Sequence, residues 1–108
     1  MIEDQVRAWA KTQLGDEVWE GGTPPEDRTG ASLRLLWDNG LSAAVRIWLF
    51  ERSYREASDK AGGLVESALA RVGFCDGWAI RAATREFEGV DLEGRYVFGV
   101  TLDIEMEV

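Results

Sequence analysis

Tyr96-Val97-Phe98-Gly99-Val100-Thr101-Leu102-Asp103-Ile104-Glu105-Met106-Glu107-Val108 is the stretch on which the fold turns. Every even position is apolar, while Gly99, Thr101, Asp103, Glu105 and Glu107 fall on odd positions. Period-two alternation of this length describes a strand with one core face and one wet face. Trp78 to Glu88 is its natural partner across the loop Gly89-Val90-Asp91-Leu92-Glu93-Gly94-Arg95. Pairing Glu88 with Tyr96 sets Trp78 opposite Met106, Ile80 opposite Ile104 and Ala82 opposite Leu102. It also sets Arg81 opposite Asp103, an opposite-charge cross-strand pair. In this register Glu105 and Glu107 remain unpaired on the wet face.

Upstream of this hairpin, Tyr54, Ala57, Ala61, Leu64, Val65, Ala68, Leu69 and Val72 recur at helical spacing. Ser53-Tyr54-Arg55-Glu56 forms a capping box before them, and Gly73 closes the segment. Gly62-Gly63 inside the helix costs about 2 kcal/mol relative to two alanines, and close helix-to-sheet packing is the expected reason.

Further upstream, Ser32 to Asp38 and Leu41 to Glu51 flank Asn39-Gly40, a dipeptide suited to a type I′ hairpin turn. If Asp38 pairs with Leu41, Leu33, Leu35, Trp37, Ala44, Trp48 and Phe50 share one face. Leu36, Ala43, Val45, Ile47 and Leu49 share the other. A hairpin apolar on both sides requires two covers, from its own helices or from a neighbouring subunit.

At the front of the chain, Ile2, Val6, Trp9, Ala10 and Leu14 mark one face of a helix over residues 2 to 14, with Gly15 as its stop. Asp16 to Glu20 reads as a short strand, and residues 21 to 30 as a polar loop whose prolines deny it a ladder role. The order is α-β-β-β-α-β-β in a single domain, residues 1 to 108. The expected class is α+β, with a mainly antiparallel sheet of about five strands packed with two helices.

Composition narrows the function. The chain has 108 residues, a net charge of -8 and no histidine. An acidic balance opposes nucleic-acid binding, which draws its affinity from Lys and Arg on phosphates. Without histidine there is no Ser-His-Asp triad, no Cys-His dyad and no HExxH zinc site. Cys75 is the single cysteine, so no internal disulfide forms, and beside Asp76 it is expected to be buried or half-buried and structural. Asp103, Glu105 and Glu107 stand about 6.6 to 7 Å apart along their strand. A solvated face is expected there, because Ca²⁺ takes about 6 to 8 oxygen ligands and one strand does not enclose them. No phosphate loop appears, no metal or cofactor is expected, and the expectation is a protein that is not an enzyme. Met1-Ile2-Glu3-Asp4-Gln5 lacks the features of a signal peptide, and no apolar run approaches the ~20 residues of a membrane span. Cytoplasmic synthesis is the expectation. The five tryptophans are core residues in the simplest reading, though some are placed to mark subunit contacts.

Val45-Arg46-Ile47-Trp48-Leu49-Phe50, then Ser53-Tyr54-Arg55-Glu56-Ala57 with its helix, then Asp91-Leu92-Glu93-Gly94-Arg95-Tyr96-Val97-Phe98, resembles the tail terminator or tail-completion proteins of long-tailed bacteriophages, small proteins often described as minor capsid or neck proteins. The resemblance lies in element order, length and pattern over nearly the whole chain. It implies a ring, usually a hexamer, that caps the tail tube, meets the head-tail connector and lets DNA pass. Its partners would be copies of itself, the tail tube protein and the connector, in the host cytoplasm during assembly and then in the virion. Trp37, Trp48, Phe50 and Leu36 are candidate subunit contacts. Glu26, Asp27, Asp103, Glu105 and Glu107 are candidates for an acidic lumen or partner surface, which would repel phosphate over about a Debye length. The competing expectation is a small cytoplasmic α+β binding module, monomeric or dimeric, that holds an apolar or cationic ligand against the aromatic sheet face.

Overall fold

The computed structural model describes residues 1–15, 18–20, 22–26 and 28–108. Its elements are α1 (Ile2–Leu14), β1 (Val18–Glu20), β2 (Gly30–Asp38), β3 (Ser42–Glu51), α2 (Tyr54–Ala70), β4 (Trp78–Val90) and β5 (Tyr96–Met106). They form one sheet in the order β1-β2-β3-β5-β4. Only β1 and β2 run parallel. The expected α+β class and element order hold. Of the stretch read as a first strand, Val18–Glu20 is strand, and residues 16 and 17 lie outside the described residues.

Both helices lie on one side of the sheet. Ile2, Val6 and Ala10 of α1 and Ala57, Ala61, Leu64 and Ala68 of α2 share a core with Leu33, Val45, Ile47, Leu49, Phe98, Val100, Leu102 and Ile104. The even face of β5 is therefore the core face, as its alternation requires. β5 is an interior strand, paired on both edges, with β3 and with β4. Small alanines along α2 let it lie close to the sheet. A Cβ at Gly62 would meet only the tip of the exposed Arg85 side chain, 2.9 Å from Nη1, whose guanidinium donates to the Ser58 carbonyl at 3.1 Å and is free to shift. Gly63 faces open space, so the close helix-to-sheet packing expected to explain the glycine pair is not seen at either position.

The first hairpin departs from the expected register. Its central turn residues are Gly40 and Leu41, closed by Asn39 N–H donating to the Ser42 carbonyl at 3.1 Å, and only Gly40 has a positive φ, 87°. Asn39 stands before the turn because its Oδ1 accepts from the N–H groups of Leu41 (3.0 Å) and Ser42 (2.8 Å). Asp38 consequently pairs with Ala43, and a bulge at Leu36 then shifts the ladder by one residue. A one-residue slip exchanges faces. Leu33 and Leu35 join Val45, Ile47 and Leu49 in the core, whereas Trp37 stays with Ala44, Trp48 and Phe50 on the side away from the helices. The bulge is held from α1, where Glu3 Oε2 accepts the Leu35 N–H at 3.2 Å.

In the second hairpin the expected register holds from Trp78 to Ile80 and is then broken by bulges at Arg81 and Glu88. Ala82 therefore faces Asp103, and Arg81 pairs with Glu105 instead of Asp103. β4 is an edge strand, and bulges with charged side chains are the devices that keep such an edge from pairing with stray strands.

Helix α2 ends at Ala70, before Gly73. Arg71 leaves the helix to stack 3.5 Å from the Trp78 ring centroid while donating to the carbonyls of Trp78 and Cys75, both at 2.7 Å. Leu69 and Val72, read as part of the buried stripe, are exposed. Cys75 is exposed too, contrary to expectation, because Asp76 (φ 54°) and Gly77 (φ 87°) bend the chain outward in a tight turn before β4. Among the described residues, no helix is long and apolar enough to cross a membrane.

Candidate functional site

The sheet face opposite the helices carries most of the candidate residues. Its centre is Arg46, which donates to Thr101 Oγ1 at 2.6 Å and to Glu88 Oε2 at 2.9 Å, with Glu86 Oε1 at 3.6 Å. The guanidinium also lies 5.7 Å from the Trp48 ring centroid. Gly99 makes room for this group, since a Cβ there would run into both Arg46 and Glu88.

One end of this face is covered by the polar loop. Arg95, at the start of β5, is 2% exposed. Its Nη1 donates to the carbonyls of Pro24 (2.9 Å), Pro25 (2.8 Å) and Arg28 (3.0 Å). Its Nε donates to Asp91 Oδ2 at 2.8 Å, and its guanidinium lies 5.1 Å from the Phe50 ring centroid. A loop of poor ladder-formers is thus tied to the β4–β5 turn through three of its carbonyls, of which that of Pro25 also accepts from the Arg28 N–H at 2.9 Å. Phe50 becomes buried beneath it at 5% exposure, which removes this residue from the candidate subunit contacts. Nothing in the sequence marks Arg95 for this role. The nearest sign is Asp91 before a glycine turn, whose Oδ1 accepts from the N–H groups of Glu93 (3.0 Å) and Arg95 (2.8 Å).

Partial burial pushes the Asp91 carboxyl up, but the backbone and side-chain hydrogen bonds from Arg95, its charge, and the Glu93 N–H outweigh that and hold it below its ordinary value. A carboxylate depressed in the folded state contributes stability at pH above its unfolded pKa, about 3.9, and loses that contribution as pH falls through the folded value. Asp91→Asn is therefore expected to destabilise at neutral pH, with the gap from the native chain closing below about pH 4. Urea unfolding at pH 7, 5, 4 and 3 checks this, and a gap unchanged by pH would refute it.

The remaining candidates separate. Trp48 is half-buried, and Trp37 and Leu36 are 49% and 47% exposed. Trp37 lines a concavity with Leu41, Arg81 and Glu105, and Leu41 and Glu105 also line an adjoining one with Phe74, Met106 and Val108. These residues join into one apolar patch around the β2–β3 turn, with the Arg81–Glu105 pair set into it. Asp103 and Glu105 lie at this end of the sheet opposite Ala44 and Ser42, and exposed Glu107 follows β5. Glu26 lies in the loop pinned by Arg95, at the Phe50 end, and Asp27 lies outside the described residues. The candidate acidic residues therefore do not form one surface; Arg34, Arg46 and Arg81 are interspersed among the charges of this face. Among the described residues, no three acidic or cysteine side chains gather closely enough to hold a metal ion.

The tryptophans sort by position. Trp78 is core at 2% exposure and meets Trp9 edge to face at 6.3 Å, while Trp37 is the one most open to solvent. No protein-family model matches this chain, and no curated protein is significantly similar to it. Its own surfaces are what bear on its function.

Proposed function

We propose that this protein is a structural assembly subunit, not an enzyme, and that it forms a ring with copies of itself of the kind that caps the tail tube at the head-tail joint of a phage-like particle. In that setting it would act in the host cytoplasm and then in the virion, stopping tube growth, meeting the tail tube and connector proteins, and letting DNA pass. The observation that carries the reading is the apolar patch of Trp37, Leu41, Phe74 and Met106 at one end of the sheet. Joined apolar surface of this kind, rimmed by charge, marks a protein contact. A ring contact joins two different patches of the same chain. The open sheet face around Trp48 is the second surface, and the Arg81–Glu105 pair gives the first a polar anchor. Element order, length and hairpin pattern, which resemble tail terminators, support the specific setting.

Sedimentation over a wide concentration range tests the reading. Hexamer-sized species are expected to grow with concentration, and Trp37→Glu is expected to leave monomer. As an exposed substitution, it should change stability by no more than about 0.5 kcal/mol. A native chain that stays monomeric throughout refutes self-assembly. The second reading, a small ligand-binding module, draws on a cavity beside Trp48 and predicts a fixed monomer or dimer in the same experiment.

A further inference from the structure

On the open face, between the pinned loop and strands β2 and β3, lies a cavity of about 200 Å³ lined by Gly22, Thr23, Ser32, Arg34, Trp48 and Phe50. Its walls are largely apolar, with Trp48 and Phe50 the two aromatic residues among them, and its two polar groups on β2 lack a partner among the described residues. Ser32 is 4% exposed, and among the described residues its hydroxyl has no hydrogen-bond partner. The hydroxyl is not sealed off from solvent; it opens onto the cavity, where it is free to meet water or a ligand. Arg34 stands directly opposite Arg46 in the β2–β3 ladder. Like charges so placed repel. Arg46 is balanced by Glu86 and Glu88, whereas Arg34 has no ion-pair partner among the described residues.

We infer that this cavity is a binding site for a small monocarboxylic acid with a compact apolar body. The carboxylate would sit between the fork of Arg34 and the hydroxyl of Ser32, and the apolar group would lie against Trp48 and Phe50. A guanidinium pairs with a carboxylate through two parallel hydrogen bonds, and a serine hydroxyl can donate a third. The volume is below the ~300–1,000 Å³ of sites for drug-sized ligands and suits a single ring or a branched aliphatic group. A cationic ligand is disfavoured, because Arg46 already lies over Trp48 and Arg34 is uncompensated.

Benzoate, benzamide and benzylamine, titrated separately into isotopically labelled protein, test the assignment by amide and indole NMR shifts. Benzoate is expected to shift the Ser32 and Arg34 amides and the Trp48 indole to saturation. Benzamide should bind at least about tenfold more weakly, and benzylamine should leave these signals unmoved, because the charge-assisted pair is absent. Arg34→Gln, an exposed change outside the core, is expected to weaken benzoate about tenfold or more while leaving the rest of the spectrum in place. Benzoate shifts that do not saturate, shifts centred elsewhere, equal binding of benzamide, or an Arg34→Gln affinity within about twofold of the native chain would each overturn the site.

Discussion

Arg95→Met is expected to destabilise the protein by about 3–5 kcal/mol, the range for removing one member of a buried, hydrogen-bonded ion pair. Methionine keeps a long unbranched stem but supplies none of the donors that reach Asp91 and the carbonyls of Pro24, Pro25 and Arg28. Because the Asp91 side chain is 21% exposed, part of its charge is rehydrated, and the effect should fall toward the lower end. The whole stability of a domain this size is about 5–15 kcal/mol, so the loss is a large part of it. The loop from residue 22 to 30 should also become protease-sensitive, since a single side chain ties three of its carbonyls to the turn. Arg95→Lys should recover only a fraction, because an ammonium is a point charge without the planar fork. Chemical denaturation and limited proteolysis measure both effects. An Arg95→Met chain that melts within about 2 °C of the native one would refute the anchoring role, since 1 kcal/mol already moves a domain of this size by about 4–8 °C.

Trp78→Ala should cost about 3–5 kcal/mol through the cavity it leaves. The ring is 2% exposed and lies between Trp9 of α1 and the stacked guanidinium of Arg71. Its removal should free Arg71 from that stack and loosen the turn that carries Cys75, so that a thiol reagent reacts faster with Cys75. A double-mutant cycle with Trp9→Ala should return a coupling of about 0.5–1.5 kcal/mol for the edge-to-face pair. Additive effects would show that the two rings are merely neighbours.

What could be read in advance depended on range along the chain. Ser53 caps α2 as its capping-box spacing requires, with the Glu56 N–H donating to Ser53 Oγ at 3.2 Å, because that contact spans three residues. The alternation from Tyr96 onward identified both the strand and its core face, since pleat geometry alone sets which side chains share a side. The bulges at Leu36, Arg81 and Glu88 were not legible. Each depends on what an inserted residue meets across the sheet, as when Glu3 of α1 accepts the Leu35 N–H. Their consequences were large: they moved Leu33 and Leu35 into the core, left Trp37 outside, and gave Arg81 to Glu105.

The candidate site was legible in part for the same reason. Aromatic residues in β2 and β3 drew attention to the correct hairpin, but exposure separated Trp37 from buried Phe50 only once the loop was seen to lie over one end. Arg95, Arg34 and Ser32 carry no local signal, because their significance lies in partners gained or missing across strands and loops. From the sequence alone came the α+β class, the seven elements and the core face of β5, each set by periodicity, capping and turn chemistry within a few neighbouring residues. The tertiary structure alone decided which hairpin residues face solvent, that Arg95 is buried beneath the loop and that Arg34 stands opposite Arg46 without an ion pair among the described residues, because register, bulges and long-range hydrogen bonds are settled only when distant segments compete for the same space.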